Sequence, residues 1–226
     1  MNTNRVIDRF ESEIMANFSS MKRKSVPEVR ATRRTLSKQI EALSGATVIE
    51  LALRLLQHRG FVPRFVGYEL VHYHKQAMAS LNSRNITALG NGIDDWVAVD
   101  TFGCYLSGPA WREHQIPDSL VEKWSRSKDR WWRRAAIVST VPLNNKARGG
   151  KGDVDRTLQI CRLVMDDRDD MVVKALSWAL RELSKREPIV VRDFLAEYDS
   201  RLAPRVLREV KTKLITGVKT PKRNTK

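Results

Sequence analysis

Apolar residues return every three or four positions from one end of this chain to the other, and proline or glycine stands between the periodic segments. That period lines up side chains on one face of an α-helix, which a strand cannot do. The pattern predicts about ten to twelve helices, a count that follows from the number of uninterrupted periodic stretches. The expected spans are 4–19, 27–43, 46–58, 62–79, 83–90, 93–107, 118–127, 129–141, 154–166, 170–186, 188–200 and 203–215.

Helix pairs of this length joined by short loops favour stacking into a solenoid over a compact bundle. No residue recurs at a constant period, so this expectation rests on helix lengths and loop spacing alone. It takes the form of an all-α, right-handed superhelical solenoid of HEAT-like repeats with a concave basic face. A single domain over 1–215 and a basic, disordered tail over 216–226 complete it. Two segments read as irregular. In 142–153, Lys146, Arg148 and Lys151 alternate with Gly149, Gly150 and Gly152, which reads as a flexible positive loop lacking the glycine-lysine-serine/threonine ending of a phosphate-binding loop. The stretch 211–226 carries six basic residues and no acidic one, and suits a solvated tail as well as a DNA-contacting one.

Composition narrows the partner. Lysine and arginine number 41 against 26 acidic residues, a formal charge of +15 that folding does not require and that repels itself. Such an excess points to a polyanion, and double-stranded DNA is the expected one, although ribosomal and membrane-surface proteins share the bias. The start of the chain mixes Arg5, Asp8, Arg9, Glu11 and Glu13, which leaves no apolar core for a signal peptide. No run approaches the ~18 apolar residues of a membrane span, so the expectation is a cytoplasmic monomer without an obligate protein partner. Cys104 and Cys161 lie in apolar-periodic stretches and read as buried free thiols. His58, His72, His74 and His114 lack metal-binding spacing, and with two cysteines they supply no zinc site; neither metal nor cofactor is expected.

What remains for chemistry is tryptophan, carboxylate and arginine. In 94–100, Trp96 and Asp100 stand four apart, on one face of a helix. The same spacing also fits a core tryptophan beside a surface or capping aspartate. In 128–137, Arg130, Arg133 and Arg134 flank Trp131 and Trp132, with Trp124 about two turns upstream, an arrangement suited to phosphate clamping and stacking. In 173–182, Trp178 lies within a basic helix between Lys174 and Arg181.

Together these stretches resemble the AlkD-like family of DNA alkylation repair glycosylases, and the likeness runs over nearly the whole chain. It is carried by Lys24-Ser25-Val26-Pro27-Glu28-Val29-Arg30, the Trp-x-x-x-Asp of Trp96 and Asp100, the Trp-x-x-Arg-x-Ala-Ile of Trp131 to Ile137, and the Lys-Ala-x-x-Trp-x-Leu-Arg-Glu of Lys174 to Glu182. The resemblance implies HEAT-like repeats and a site in which Trp96, Trp178 and Asp100 face the damaged nucleotide while Arg134 grips the backbone. Arg133, Lys146, Arg148, Lys151, Lys174 and Arg181 are the further candidate DNA contacts. One departure is the stretch 144–152, longer and richer in glycine than in the best-known members.

The implied reaction is release of N3- or N7-alkylated purines, whose positive charge already weakens the glycosidic bond. Asp100 would stabilise the oxocarbenium-like sugar and orient water, and the two indoles would attract the cationic base. Recognition through the backbone side, without extrusion of the base into a pocket, is implied by the resemblance. No site position is a lysine, so a Schiff-base lyase is not expected. The alternative is a non-catalytic relative that binds branched or distorted DNA, against which a carboxylate beside a polyanion argues.

Overall fold

The structure is a computed structural model describing residues 3–21 and 25–220. Every regular element among the described residues is helical, and the helices fall into two compact units, Met1–Ile93 and Asp94–Lys226. Lys24 and residues 221–226, on which part of the family motif and the end of the basic tail fall, lie outside the described residues.

The first unit contains α1 (Thr3–Ser19), α2 (Val26–Gln39), α3 (Gly45–Leu55), α4 (Phe61–Tyr73), α5 (Lys75–Ala79) and α6 (Ser83–Gly90). On α1, Ile7, Phe10, Ile14 and Phe18 are buried at the three-and-four spacing that predicted the helix. They pack towards α3, which also touches α4, α5 and α6. Each such side chain removed from water contributes about 1.5–3 kcal/mol, so this shared core holds the unit together. The helix expected over 62–79 is broken at His74, whose backbone is extended (φ −100°, ψ 109°) and whose Nδ1 accepts from the Ala77 amide at 3.1 Å. A histidine acting as a cap leaves no trace in hydrophobic periodicity. Deep in this unit Glu69 is fully buried and accepts from Arg30 Nε at 2.8 Å and Arg33 Nε at 3.0 Å.

The second unit contains α7 (Trp96–Phe102), a π-helical turn (Gly103–Ser107), α8 (Gly108–Arg112), α9 (Asp118–Ser125), α10 (Arg130–Val138), α11 (Val141–Asn144), a 3₁₀ turn (Lys146–Arg148), α12 (Val154–Val164), α13 (Asp170–Leu183), α14 (Pro188–Glu197) and α15 (Pro204–Thr216). Helix α10 packs on α7, α9 and α13, and α13 packs in turn on α12 and α15. The helix expected to stop at 107 instead widens into the π turn and continues to Arg112. The reason is close packing. A Cβ on Gly103 would lie 2.6 Å from Val138 Cγ1, and one on Gly108 would lie 2.7 Å from the Ser139 carbonyl oxygen. The buried hydroxyls of Ser107 and Ser139, 2.7 Å apart, seal this contact.

The glycine-rich stretch 142–153 is fastened, not flexible. The buried Asn144 side chain donates to the Thr157 hydroxyl at 2.8 Å and accepts from the Asp153 amide at 3.0 Å. Arg186 donates to the carbonyls of Asn144 and Gly150, and Arg112 to that of Arg148. The glycines serve geometry: Gly149 and Gly152 have φ of 81° and 101°, and a Cβ on Gly150 would lie 2.4 Å from the Pro142 carbonyl oxygen. At the other end, residues 211–216 belong to α15, which Gly217 terminates at φ 74°. The basic stretch therefore begins as helix.

Cys104 and Cys161 are buried free thiols, as expected, and burial pushes both up to about 12, far from a reactive thiolate. Among the described residues no cluster of three metal-ligating side chains occurs, and no helix is long and apolar enough to cross a membrane.

Candidate functional site

The site forms where α7, α10 and α13 meet. Asp95 caps α7, its Oδ1 accepting from the amides of Val97 at 2.8 Å and Ala98 at 2.9 Å. Trp96 is therefore the first helical residue, and it is 54% exposed. The core-tryptophan reading of this spacing is excluded, as is a capping role for Asp100, because Asp95 holds the cap.

One turn after Trp96, the Asp100 carboxylate meets a fork from α10. Arg134 Nε donates to Oδ1 at 3.0 Å and Nη2 to Oδ2 at 2.9 Å, while Nη1 reaches across to the Met171 carbonyl at the start of α13. One guanidinium thus ties three helices. Arg134 is 5% exposed, whereas the Asp100 side chain keeps 19% of its surface open. Burial pushes the Asp100 carboxyl above its usual range, with the neighbouring Asp95 charge adding to the rise. The hydrogen bonds and charge of Arg134 pull the other way without cancelling it.

In the absence of DNA, Arg134 spends this fork inside the fold: three donors go to Asp100 and Met171, and the group is buried. Arg134 holds the carboxylate. Arg133 is similarly occupied, with Nε on Asp167 Oδ2 at 2.6 Å and Nη1 on the carbonyls of Ser127 and Lys128 at 3.0 Å each. It fastens the turn before α10 to the turn before α13.

The second candidate indole, Trp178, is half-buried on α13, seven residues after Met171 and so on the same helical face. Trp96 and Asp100 belong to α7 and Trp178 to α13, two of the helices that pack on α10. Of the remaining candidates, Lys146 and Lys151 are exposed and Arg148 is half-buried with its guanidinium 5.0 Å from the Tyr105 ring centroid. Lys174 is partly exposed and pairs with Asp170 at 2.6 Å, one turn before it. Arg181 is half-buried and donates Nε to the Ser177 hydroxyl at 3.2 Å.

Arg130, grouped with Arg133 and Arg134 in the sequence but not chosen as a site candidate, is the most open cation of the three and lies 3.6 Å from Asp169. Its side chain is 51% exposed and lies 4.7 Å over the Trp131 ring at the start of α10. The signal was present in the arginine-tryptophan pair, but the whole stretch was credited to Arg133 and Arg134. Trp132 is instead a packing residue, its ring 5.0 Å from that of Trp124 and 6.1 Å from that of Phe102.

Two crystal structures from Streptococcus mutans share this fold. AlkD2 superposes with a TM-score of 0.62 over 97% of this chain and 100% of its own, at 15% identity. Smu.31 from strain UA159 superposes with a TM-score of 0.61 over 96% and 100%, also at 15% identity. Comparison with curated proteins matched none. The family model described as DNA alkylation repair enzyme matches residues 8–214, which span most of both compact units and include every candidate site residue named above. The chain therefore belongs to the DNA alkylation repair enzyme family.

Proposed function

We propose that this protein is a monofunctional DNA glycosylase that hydrolyses the N-glycosidic bond of N3- and N7-alkylated purines in duplex DNA. The observation that carries the reading is a partly open carboxylate, fixed by a buried arginine, one turn from an exposed indole. Trp96, on the first turn of α7, leaves about half of its surface open to a ligand.

Alkylation at N3 or N7 leaves the purine cationic, so bond cleavage needs assistance mainly at the sugar. Asp100 stabilises the positive charge that develops there and orients the attacking water; as the C1′–O bond forms, the alkylpurine leaves neutral with the electron pair of the C1′–N bond, and the carboxylate takes the proton that the water gives up. Arg134 fixes the carboxylate plane through its fork and opposes, without cancelling, the effect of burial on its ionisation. Trp96 and Trp178 attract the cationic base through their ring faces, each contact worth about 0.5–2 kcal/mol, while a neutral purine gains less. Phosphate contacts fall to the accessible cations, Lys146, Lys151, Lys174 and Arg148, which set register without reacting. No step requires a metal or a cofactor.

A second reading is favoured by one observation: both oxygens of Asp100 are already bonded to Arg134, as they would be in a structural ion pair. On that reading the protein binds branched or distorted DNA without cutting the glycosidic bond. The test is incubation with methylated duplex and detection of free bases, run beside competition between a four-way junction and linear duplex. Base release supports the glycosylase. Junction preference with no release supports the second reading.

A further inference from the structure

Arg134 and Arg133 spend donors within the fold, and further cations stand near Trp178 on α13 and α15. The α13 face that carries Trp178 also carries Lys174 one turn before it and Arg181 one turn after it. Beside them, Glu209 on α15 is 14% exposed and accepts a hydrogen bond from the buried Ser177 hydroxyl at 2.6 Å. Three cations fan out around that anchored carboxylate. Lys219 Nζ lies 3.5 Å from Oε2, Arg181 Nη2 3.9 Å from Oε2, and Arg205 Nε 4.0 Å from Oε1.

These separations are long, since charge-assisted hydrogen bonds run at about 2.7–2.9 Å. The carboxylate gathers the cations without saturating them. Lys219 and Arg205 are 49% and 36% exposed, more open than the carboxylate beneath. Arg205 is also held by Asp170 Oδ1 at 2.6 Å, which fixes its direction. Three cations against Glu209 and Asp170 leave a net positive charge of one unit, and a tetrahedral anion offers acceptors to all three cations at once. Hydrogen bonding by Ser177 and the surrounding cations hold the Glu209 carboxyl below its usual range even though burial pushes it up, so it stays charged as the hub.

We propose that Arg181, Arg205 and Lys219 form a binding site for a backbone phosphate of duplex DNA beside Trp178, with Glu209 as the positioning residue that gathers them. This rests on the reading of the protein as a duplex-binding repair enzyme. It places a phosphate contact on Lys219 and Arg205, which solvent reaches, with Arg181 beneath them.

The experiment measures duplex affinity against salt for the wild type and for Lys219→Ala, Arg205→Ala and Glu209→Gln. Lys211→Ala serves as the control: Lys211 is an α15 cation of similar exposure that pairs with Asp199, away from the cluster. Lys219→Ala and Arg205→Ala should each flatten the log–log salt slope by about one and weaken binding about three- to tenfold at moderate salt, with Lys211→Ala near the wild type. Glu209→Gln, checked for folding by its melting curve, should weaken binding and flatten the slope because the cations disperse. Effects of Lys219→Ala and Arg205→Ala no larger than that of Lys211→Ala overturn the site, and tighter binding by folded Glu209→Gln overturns the positioning role. A parallel arm uses inorganic phosphate at constant ionic strength. Phosphate should raise the melting temperature of the wild type, and the double variant Lys219→Ala, Arg205→Ala should lose most of that rise; an equal rise in both overturns the site. If the wild type fails to bind duplex at all, the DNA reading falls, and the phosphate arm still decides the site.

Discussion

Glu69 in the first compact unit and Asp100 in the second are both carboxylates bonded by arginine, and they differ in how many arginines hold them and in how much surface is left open. Glu69 is sealed: it has no exposed surface, takes hydrogen bonds from Arg30 and Arg33, and lies below Arg33, whose guanidinium stacks 3.9 Å over the Tyr73 ring. Asp100 has the same chemistry with one side left open, and an exposed tryptophan stands one turn away. A buried ion pair is weak grounds for assigning function, because it arises wherever a charge must be compensated. The opening beside Asp100 and the indole at its edge separate the candidate site from the structural pair.

The largest expected effect falls on the sealed pair. Glu69→Ala leaves two guanidinium groups facing a void where their counter-charge stood, a loss of about 3–5 kcal/mol that chemical denaturation would register. Base release per folded molecule should not change. A milder unfolding penalty with lost activity would mean that the first unit takes part in chemistry.

Asp100→Asn reverses the pattern. The amide keeps one acceptor for Arg134, so the stability cost should be about 1.5–3 kcal/mol, while single-turnover base release drops ~10²-fold or more. Unchanged release in the folded variant would remove Asp100 from the mechanism and make its pair with Arg134 equivalent to that of Glu69. The acid side of the pH profile sharpens the same contrast. Asp100 must be ionised to act, and its carboxyl titrates above the ordinary 3.8, so base release should fall away on acidification at a higher pH than an unperturbed aspartate would give. The folded protein binds this proton more tightly than the unfolded chain does. The raised value therefore costs stability once the pH exceeds the ordinary carboxylate range.

A smaller effect belongs to the fastened stretch 142–153. Gly150→Ala forces a Cβ against backbone and should lower stability by about 1–3 kcal/mol, whereas Lys146→Ala with Lys151→Ala should leave stability unchanged and flatten the salt slope by about two. The wild-type slope should be roughly −4 to −8. A Gly150→Ala protein of normal stability would restore the picture of a loose loop.

The helices were legible because burial imposes a period, and α1 shows it most plainly at Ile7, Phe10, Ile14 and Phe18. Period carries no record of what a polar group bonds to. The break at His74, the π turn after Phe102 and the anchoring of Asn144 all depend on partners distant in sequence. The glycines of 149–152 read as flexibility because a sequence does not reveal that Gly150 touches the Pro142 carbonyl. In the candidate site, Trp96 and Asp100 could be paired from their four-residue spacing. Arg134 could not be separated from Arg133 and Arg130, since all three are arginines on one helix and only the Asp100 contact, 34 residues away, distinguishes them.

The central claim is that Asp100 belongs to an open site that cuts a glycosidic bond. It is tested most directly by mixing excess wild-type protein with methylated duplex DNA and separating the free bases by chromatography. The account predicts release of 7-methylguanine and 3-methyladenine above the spontaneous rate, with normal guanine and adenine retained. Tight, salt-dependent duplex binding with no base released above background would contradict it.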